Sequence, residues 1–452
     1  MPLNASHSES IHVADSASAH WLHLTAKSQL AKSTDLPGIG RQETGVAPRL
    51  RLMFLQGRKR YAVSMKISPL IYDFRAQLPR YQLPQEYAFH WLAAAHAQAE
   101  VRASGRMDLR SEWLERMGRL ISRYGCSAQR IGGRRSELSD FMHTRWEEMS
   151  IFNLATTTVG EGIAARNQFF ADTANRVVNQ FYAGEEDPPS DLLHVTCTGY
   201  ASPSAIQRLI ESKRWGIWTR ATQIYHMGCY AALPALRVAA GLLFNPQNSV
   251  PPRADILHTE LCSLHLNPQD HSPEQLVVQS LFADGHIRYS MTLDESPGGE
   301  AGSHSFEVMA MREEVIPNSV DDMTWVLSEW GFRMTLSREV PDKIAAALPV
   351  FLERLLMGAG ESPRANRDEI IFAIHPGGPK IIDSVQQLFK LDDDQIASSR
   401  AVLYERGNMS SATLPHIWAK ILADAGVRPG TQVVSLAFGP GLTVTGALFK
   451  KR

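Results

Sequence analysis

Cysteine is scarce in this chain. Four occur in 452 residues, at positions 126, 197, 229 and 262, with no Cys-x-x-Cys pair and no Cys/His ligand spacing. A structural zinc site therefore has little support, and no metal or other cofactor is expected. So few thiols, so far apart, fit a reducing compartment in which they stay free. Neither sign of charge is in excess: 46 Lys and Arg stand against 47 Asp and Glu, a formal net charge of −1. That balance gives no footing for nucleic acid and no polybasic tail for an anionic membrane. Long apolar runs are missing too. The longest, Ala231 to Phe244, is interrupted by Arg237 and is too short to span a bilayer. The N-terminus lacks the basic-then-apolar pattern of a signal peptide. The expectation is a soluble cytoplasmic protein.

What is present is enough for a large core, with 44% hydrophobic and 21% charged residues. The length allows about three average domains or one two-lobed α/β unit. Residues 1–64 stand apart. They are rich in Ser, Ala and His, turn basic near Arg49 to Arg60, and lack periodicity, so they read as disorder with at most a short strand at Leu50 to Leu55. Folded patterning starts at Met65, a candidate alternative translation start. Helices are expected over Glu86–Ala103, Ser111–Tyr124 and, from spacings of three and four, within Glu147–Ala183. Leu192–Cys197 reads as a buried strand followed by a turn and a helix, Ser204–Ser212. A strand at Asp255–Leu266, a helix at Gln275–Asp284 and the strand HIRYSM follow. In the second half, Thr335–Glu339 precedes a helix at Pro341–Gly358, and a strand at Glu369–Ile374 leads to a helix at Pro379–Phe389. Val433–Ala437 and Leu442–Leu448 read as a hairpin joined by FGPG. Strand, helix, strand in this order predicts a layered α/β architecture around a central sheet.

Tyr225 to Leu243 (YHMGCYAALPALRVAAGLL) carries the chemistry. Cys229 opens a run of small apolar residues that reads as a buried helix, where the dipole favours a thiolate. Gly228 before it permits a strained backbone. His375 follows a strand in FAIHPGGP, and Asn408 precedes a helix in ERGNMSSA. Each has a bland alternative: a core cysteine, a turn histidine, and an Asn helix cap. The three are expected to form one site because the His375 and Asn408 segments supply what such a thiol needs. Cys197, at its own strand end, is a rival nucleophile. Cys262 reads as core or cavity lining, and His226 as structural or as a second base. Arg116, Arg119 and Arg123 are either a solvated helix face or a dock for substrate phosphates. Gly377 and Gly378 would let backbone pass close to a substrate. Phe438 and Gly439 in FGPG would shape a cavity floor, or form only a turn.

Taken together, GCY before an apolar helix, LVVQSLFADG, IHPGGPKIID, ERGNMSSAT and FGPGLTV resemble the type III polyketide synthases, the chalcone synthase-like enzymes, from about Met65 to Lys450. The residues after Cys197 (TGYASPS) are more similar to bacterial members. The resemblance implies a thiolase-like fold with two pseudo-symmetric βα halves and a five-layered α-β-α-β-α core. Residues 65–291 would carry the nucleophilic Cys229, and residues 292–452 would carry His375 and Asn408. It further implies a homodimer and decarboxylative condensation of malonyl-CoA onto an acyl starter held by cysteine, using acyl-CoA. The aromatic gatekeeper of plant members would fall near His265 or Leu266, where no phenylalanine stands. Two other readings remain open. One is a single-step condensing enzyme like ketoacyl synthase III, taking acyl-CoA or an acyl carrier protein. The other is a non-catalytic partner subunit.

Overall fold

A computed structural model describes residues 68–245, 252–293, 304–361 and 369–452. The readings made for residues 1–64 lie outside the described residues. Strands β1 (Pro69–Gln77), β4 (Asp191–Thr196), β5 (Arg220–Tyr225), β6 (Arg253–Leu261), β7 (Asp284–Leu293), β8 (Ser305–Val315), β11 (Ile371–Ile374), β12 (Gln432–Gly439) and β13 (Thr443–Lys451) form one sheet. Its order is β11-β12-β13-β8-β1-β7-β6-β4-β5. Two small ribbons pair β2 (Tyr81–Pro84) with β3 (Gly133–Ser136), and β9 (Met323–Leu327) with β10 (Phe332–Leu336).

The same pattern occurs at both ends of the sheet. β4 is parallel to β5 and β6, and β6 turns antiparallel to β7. β11 is parallel to β12, and β12 turns antiparallel to β13. β1 hydrogen-bonds to both β7 and β8 and so joins the two ends.

Strands β4, β6, β7, β12 and β13 are buried on both faces, which is why such strands do not show clean alternation. Along β12, Val433 and Ala437 face one core while Val434, Leu436 and Phe438 face another. Along β6, Ile256 and Leu257 divide in the same way, as the two-residue period requires. The shared inner core is built on α5 (Ala232–Leu243) and α10 (Thr413–Ala423). α5 packs on β4, β6, β7 and β13, and α10 packs on β11, β7 and β1. These two apolar helices are the middle layer.

One outer face carries α1 (Gln85–Ser104), α2 (Arg110–Tyr124), α3 (Ile163–Phe181), α4 (Ala205–Ser212) and α6 (Pro273–Leu281). The other carries α7 (Val340–Gly358), α8 (Pro379–Phe389) and α9 (Asp393–Arg406). Among the described residues, no helix is long and apolar enough to cross a membrane.

The long helix expected within Glu147–Ala183 is present only as α3, from Ile163 on. Upstream, the buried Asp140 carboxylate accepts the backbone N–H groups of Ser150, Ile151 and Phe152. Those donors are thereby withdrawn from a helical ladder, and the helical spacing there is overridden. Of the segment Thr335–Glu339 that precedes the next helix, only Thr335 and Leu336 are strand, the end of β10.

Candidate functional site

Cys229 sits in the turn between β5 and α5, and is 6% exposed. The backbone there is tightly bent: His226 has φ 61° and Gly228 φ 83°. A Cβ on Gly228 would lie 2.7 Å from Pro440 Cδ, and one on Gly439 would lie 2.1 Å from Tyr230 Cδ1. The β12–β13 turn therefore presses directly on the cysteine turn, and only glycine fits at either contact. This is what FGPG contributes. Phe438 itself points into the outer core.

Asn408 approaches from the opposite side. Its backbone is pinned to α6, with its N–H bonded to Leu281 O (3.0 Å) and its carbonyl accepting from Ala283 N–H (2.8 Å). Its side-chain oxygen accepts the Ser410 N–H at 2.9 Å. The amide NH2 is then the end left to face the Cys229 sulfur, and it acts as a hydrogen-bond donor that favours the thiolate. The Ser410 hydroxyl donates to Cys229 Sγ at 3.6 Å and lies 2.9 Å from Cys197 Sγ. Two sulfurs far apart in sequence thus flank one hydroxyl.

His375 follows β11 and continues its pairing, its N–H bonding to Leu436 O at 2.8 Å. It is fully buried, and neither ring nitrogen has a hydrogen-bond partner. No hydrogen bond joins its ring to Cys229 or Asn408. Its place along β12 is three residues from Gly439, about 10 Å at the rise of a strand. His375 and the cysteine turn therefore flank the same strand end.

Charge is disfavoured throughout this region. Burial pushes the Cys229 thiol up to about 12, with Ser410 and Asn408 opposing the rise and Glu260 adding to it. Burial also holds the His375 imidazole down at about 3, so it is neutral. The thiolate expected from a helix start is therefore corrected. α5 begins at Ala232, three residues on, and in the empty site desolvation outweighs the dipole. Burial raises the Cys197 and Cys262 thiols well above their ordinary value. Glu260, also raised by burial, accepts from Thr196 and Thr198 hydroxyls, the Cys197 N–H and the Ser411 hydroxyl. Nothing in the sequence reading singled out Glu260, although a carboxylate within the apolar run DILHTEL was a signal. Ser410 lay inside the ERGNMSSA motif without a role.

Next to this cluster is a pocket of about 510 Å³, counting its mouth, lined by Cys262, His265, Leu266, Phe282, Arg135 and Trp325 among others. Cys229 is not among its lining residues; Cys262, just beyond the end of β6, is. Leu266 lies where a substrate contact is expected. His265 belongs to an aromatic group with Trp325 and Phe332, at centroid distances of 5.5 and 4.7 Å. Phe141 and Phe282, not considered in the sequence, are the phenylalanines of this wall. Trp325, on β9, donates its indole N–H to Cys197 O at 2.7 Å.

Other candidates lie elsewhere. Arg116 and Arg123 are exposed and stack on Trp113 and Tyr124, and Arg119 pairs with Glu115. None of the three lines the pocket. Gly377 and Gly378 have room for a Cβ and no left-handed φ, so the backbone does not require glycine there. His226 bonds through Nε2 to Trp325 O at 2.9 Å.

Residues 307–451 match the C-terminal domain of chalcone and stilbene synthases. The chain is 29% identical over 301 residues to 1,3,6,8-tetrahydroxynaphthalene synthase of Streptomyces griseus, a match covering 64% of this chain and 75% of that one. It is 30% identical over 276 residues to probable polyketide synthase 1 of Dictyostelium discoideum, covering 60% of this chain. Here the chain spans only 8% of the relative's length. In fold it resembles the crystal structure of PKS-I from the brown alga Ectocarpus siliculosus. The TM-score is 0.70 at 23% identity, covering 85% of this chain and 99% of that one.

Proposed function

Since the chain belongs to the type III polyketide synthase family, we propose that it condenses malonyl-CoA with an acyl starter carried on Cys229, extending the chain and cyclising it to a pyrone- or resorcinol-type ring. Cys229 attacks the thioester carbonyl of acyl-CoA, the tetrahedral adduct expels the CoA thiolate, and the thiol proton passes through His375 to that leaving sulfur. Malonyl-CoA then loses carbon dioxide. The electron pair left behind is held as an enolate, its oxygen accepting from His375 Nε2–H and from the Asn408 amide. The enolate carbon attacks the acyl group and frees the Cys229 sulfur. No proton has to be removed from malonate, so a neutral imidazole and a carboxamide suffice.

The observation that carries this reading is the unmet His375 ring. His375 is fully buried with both ring nitrogens unpartnered, which is rare for a buried polar group. Asn408 has its oxygen occupied by Ser410 and turns its amide hydrogens toward the Cys229 sulfur. A developing enolate oxygen beside that sulfur would accept from both.

The working unit is a homodimer. β5 pairs on one side only, with β4, and is an edge strand of the described sheet, an edge that proteins ordinarily cover. The cytoplasm suits its four free thiols. The decisive experiment is incubation with isotope-labelled malonyl-CoA and a panel of acyl-CoA and acyl carrier protein thioesters. Products and the Cys229-containing peptide are read by mass spectrometry. A cyclised polyketide and an acylated Cys229 are expected, with CoA thioesters preferred. Absence of both would defeat the proposal.

A further inference from the structure

We propose that Ser410 is a further catalytic residue: its hydroxyl, held from one side by the Cys197 thiol, donates a hydrogen bond to the Cys229 sulfur and favours its thiolate. The inference rests on Cys229 being the nucleophile. Ser410 is 1% exposed, with its Oγ 2.9 Å from Cys197 Sγ and 3.6 Å from Cys229 Sγ. A hydroxyl has one hydrogen and two lone pairs. If Cys197 S–H gives its hydrogen to a Ser410 lone pair, the Ser410 hydrogen is left for Cys229. The rival acceptor for Cys197 S–H is Glu260 Oε2, at the longer distance of 3.7 Å. That carboxylate already receives hydrogens from Thr196, Thr198, Ser411 and the Cys197 N–H, so it has no need of the thiol. Cys197 is thus a positioning residue that fixes the direction of the Ser410 hydroxyl.

The backbone is consistent with a placed side chain. Ser410 has φ 48°, a left-handed conformation that a non-glycine residue keeps only when its surroundings enforce it. Its N–H is the group that orients Asn408. One residue therefore sets a donor on the sulfur through its hydroxyl and turns the neighbouring carboxamide through its backbone. The other titratable groups around Cys229 are Glu260 at the end of β6, Cys262 just beyond it, Cys197 after β4 and His375 after β11. Glu260 raises the cost of a negative sulfur, and Ser410 is a neutral donor that lowers it without adding charge.

The test is carbamidomethylation of Cys229 by iodoacetamide in the full chain as a function of pH, quantified on its peptide by mass spectrometry. The less buried Cys126 serves as an internal reference. Wild type is compared with Ser410→Ala and Ser410→Gly. Both variants remove the hydroxyl, and glycine also relieves the left-handed backbone, so a folding defect in the first is controlled by the second. A lost hydrogen bond to a charged sulfur is expected to slow the reaction roughly tenfold at each pH below the thiol's midpoint. Both variants should shift alike, while Cys126 keeps its wild-type profile. A reactive Cys229 whose profile is unchanged in either variant overturns the role of Ser410 and leaves Cys229 as nucleophile standing. A wild-type Cys229 that reacts no faster than the other buried thiols overturns the nucleophile assignment itself.

Discussion

Asn408 has two ends and the fold has already used one. With its oxygen on the Ser410 N–H, only the amide hydrogens are free to serve a reaction. The division of labour among the three residues is therefore testable one side chain at a time. Cys229→Ala should abolish the acyl-enzyme. Asn408→Ala should still load starter, because acyl transfer to sulfur does not need the enolate donor. Decarboxylation should fall about 10²–10³-fold, the usual loss for one preorganised donor. Release of labelled carbon dioxide, measured beside acylation of the Cys229 peptide, separates the two steps. Normal carbon dioxide release in Asn408→Ala would remove Asn408 from the role given to it.

At the scale of elements, the site is a collision of turns. The cysteine turn after β5, the β12–β13 turn and the segment before α10 meet where glycine allows contact. Gly439→Ala would drive a Cβ to within 2.1 Å of Tyr230 Cδ1, and one of the two turns must move. The expected stability loss is about 1–3 kcal/mol, typical of overpacking. Because Tyr230 adjoins Cys229, activity should drop further than stability explains. Thermal unfolding and acylation rate, measured on the same preparation, decide this; an active variant of wild-type stability would mean the turns are not in tight contact. The β9–β10 ribbon lies outside the main sheet and brings Trp325 to the pocket wall. Trp325→Ala should open the pocket toward Cys197 and allow longer products. The product mass distribution should gain two-carbon increments; an unchanged distribution would show that this wall does not bound the growing chain.

At the scale of the whole molecule, the core holds many neutral imidazoles. Burial lowers His96 to about 4 and His194, His265, His375 and His416 to about 3, and His258 well below its ordinary value. A histidine whose folded pKa is depressed binds its proton more weakly when folded than when unfolded. Its stabilising contribution is present above about 6.5 and is lost as pH falls from there toward 3. Each such group removes about 1.4 kcal/mol per pH unit across that window. Buried Asp284, raised to about 6, works in the opposite sense but is outnumbered. The unfolding temperature should therefore fall steeply between pH 6.5 and 4. A flat profile over that range would show that these rings are protonated or solvated in the fold.

Much of this architecture is legible in the chain itself, element by element. α8 begins at Pro379 and ends at Phe389 as expected, because proline at the start and a strong apolar period mark it. β4, α4 and the β12–β13 hairpin fall within three residues of expectation. β5 was missed because RATQIY is an edge strand, half exposed and barely apolar. β8 was missed because SFEVMAMREEV carries charge along its exposed stretch. α9 was missed because its helix is polar and recognised chiefly by its Asp392 capping box.

The amino-acid order alone determined the motifs, the family and the three residues worth examining, since local spacing and residue type are properties of adjacent positions. Only the tertiary structure decided that Cys197 and Cys229 share a serine hydroxyl, that Glu260 sits beside both, and that Trp325 closes the pocket. Those neighbours come from strands and turns separated by tens to hundreds of positions. It also decided the charge state of the sulfur, because desolvation depends on what surrounds a group in space, and no reading along the chain supplies that.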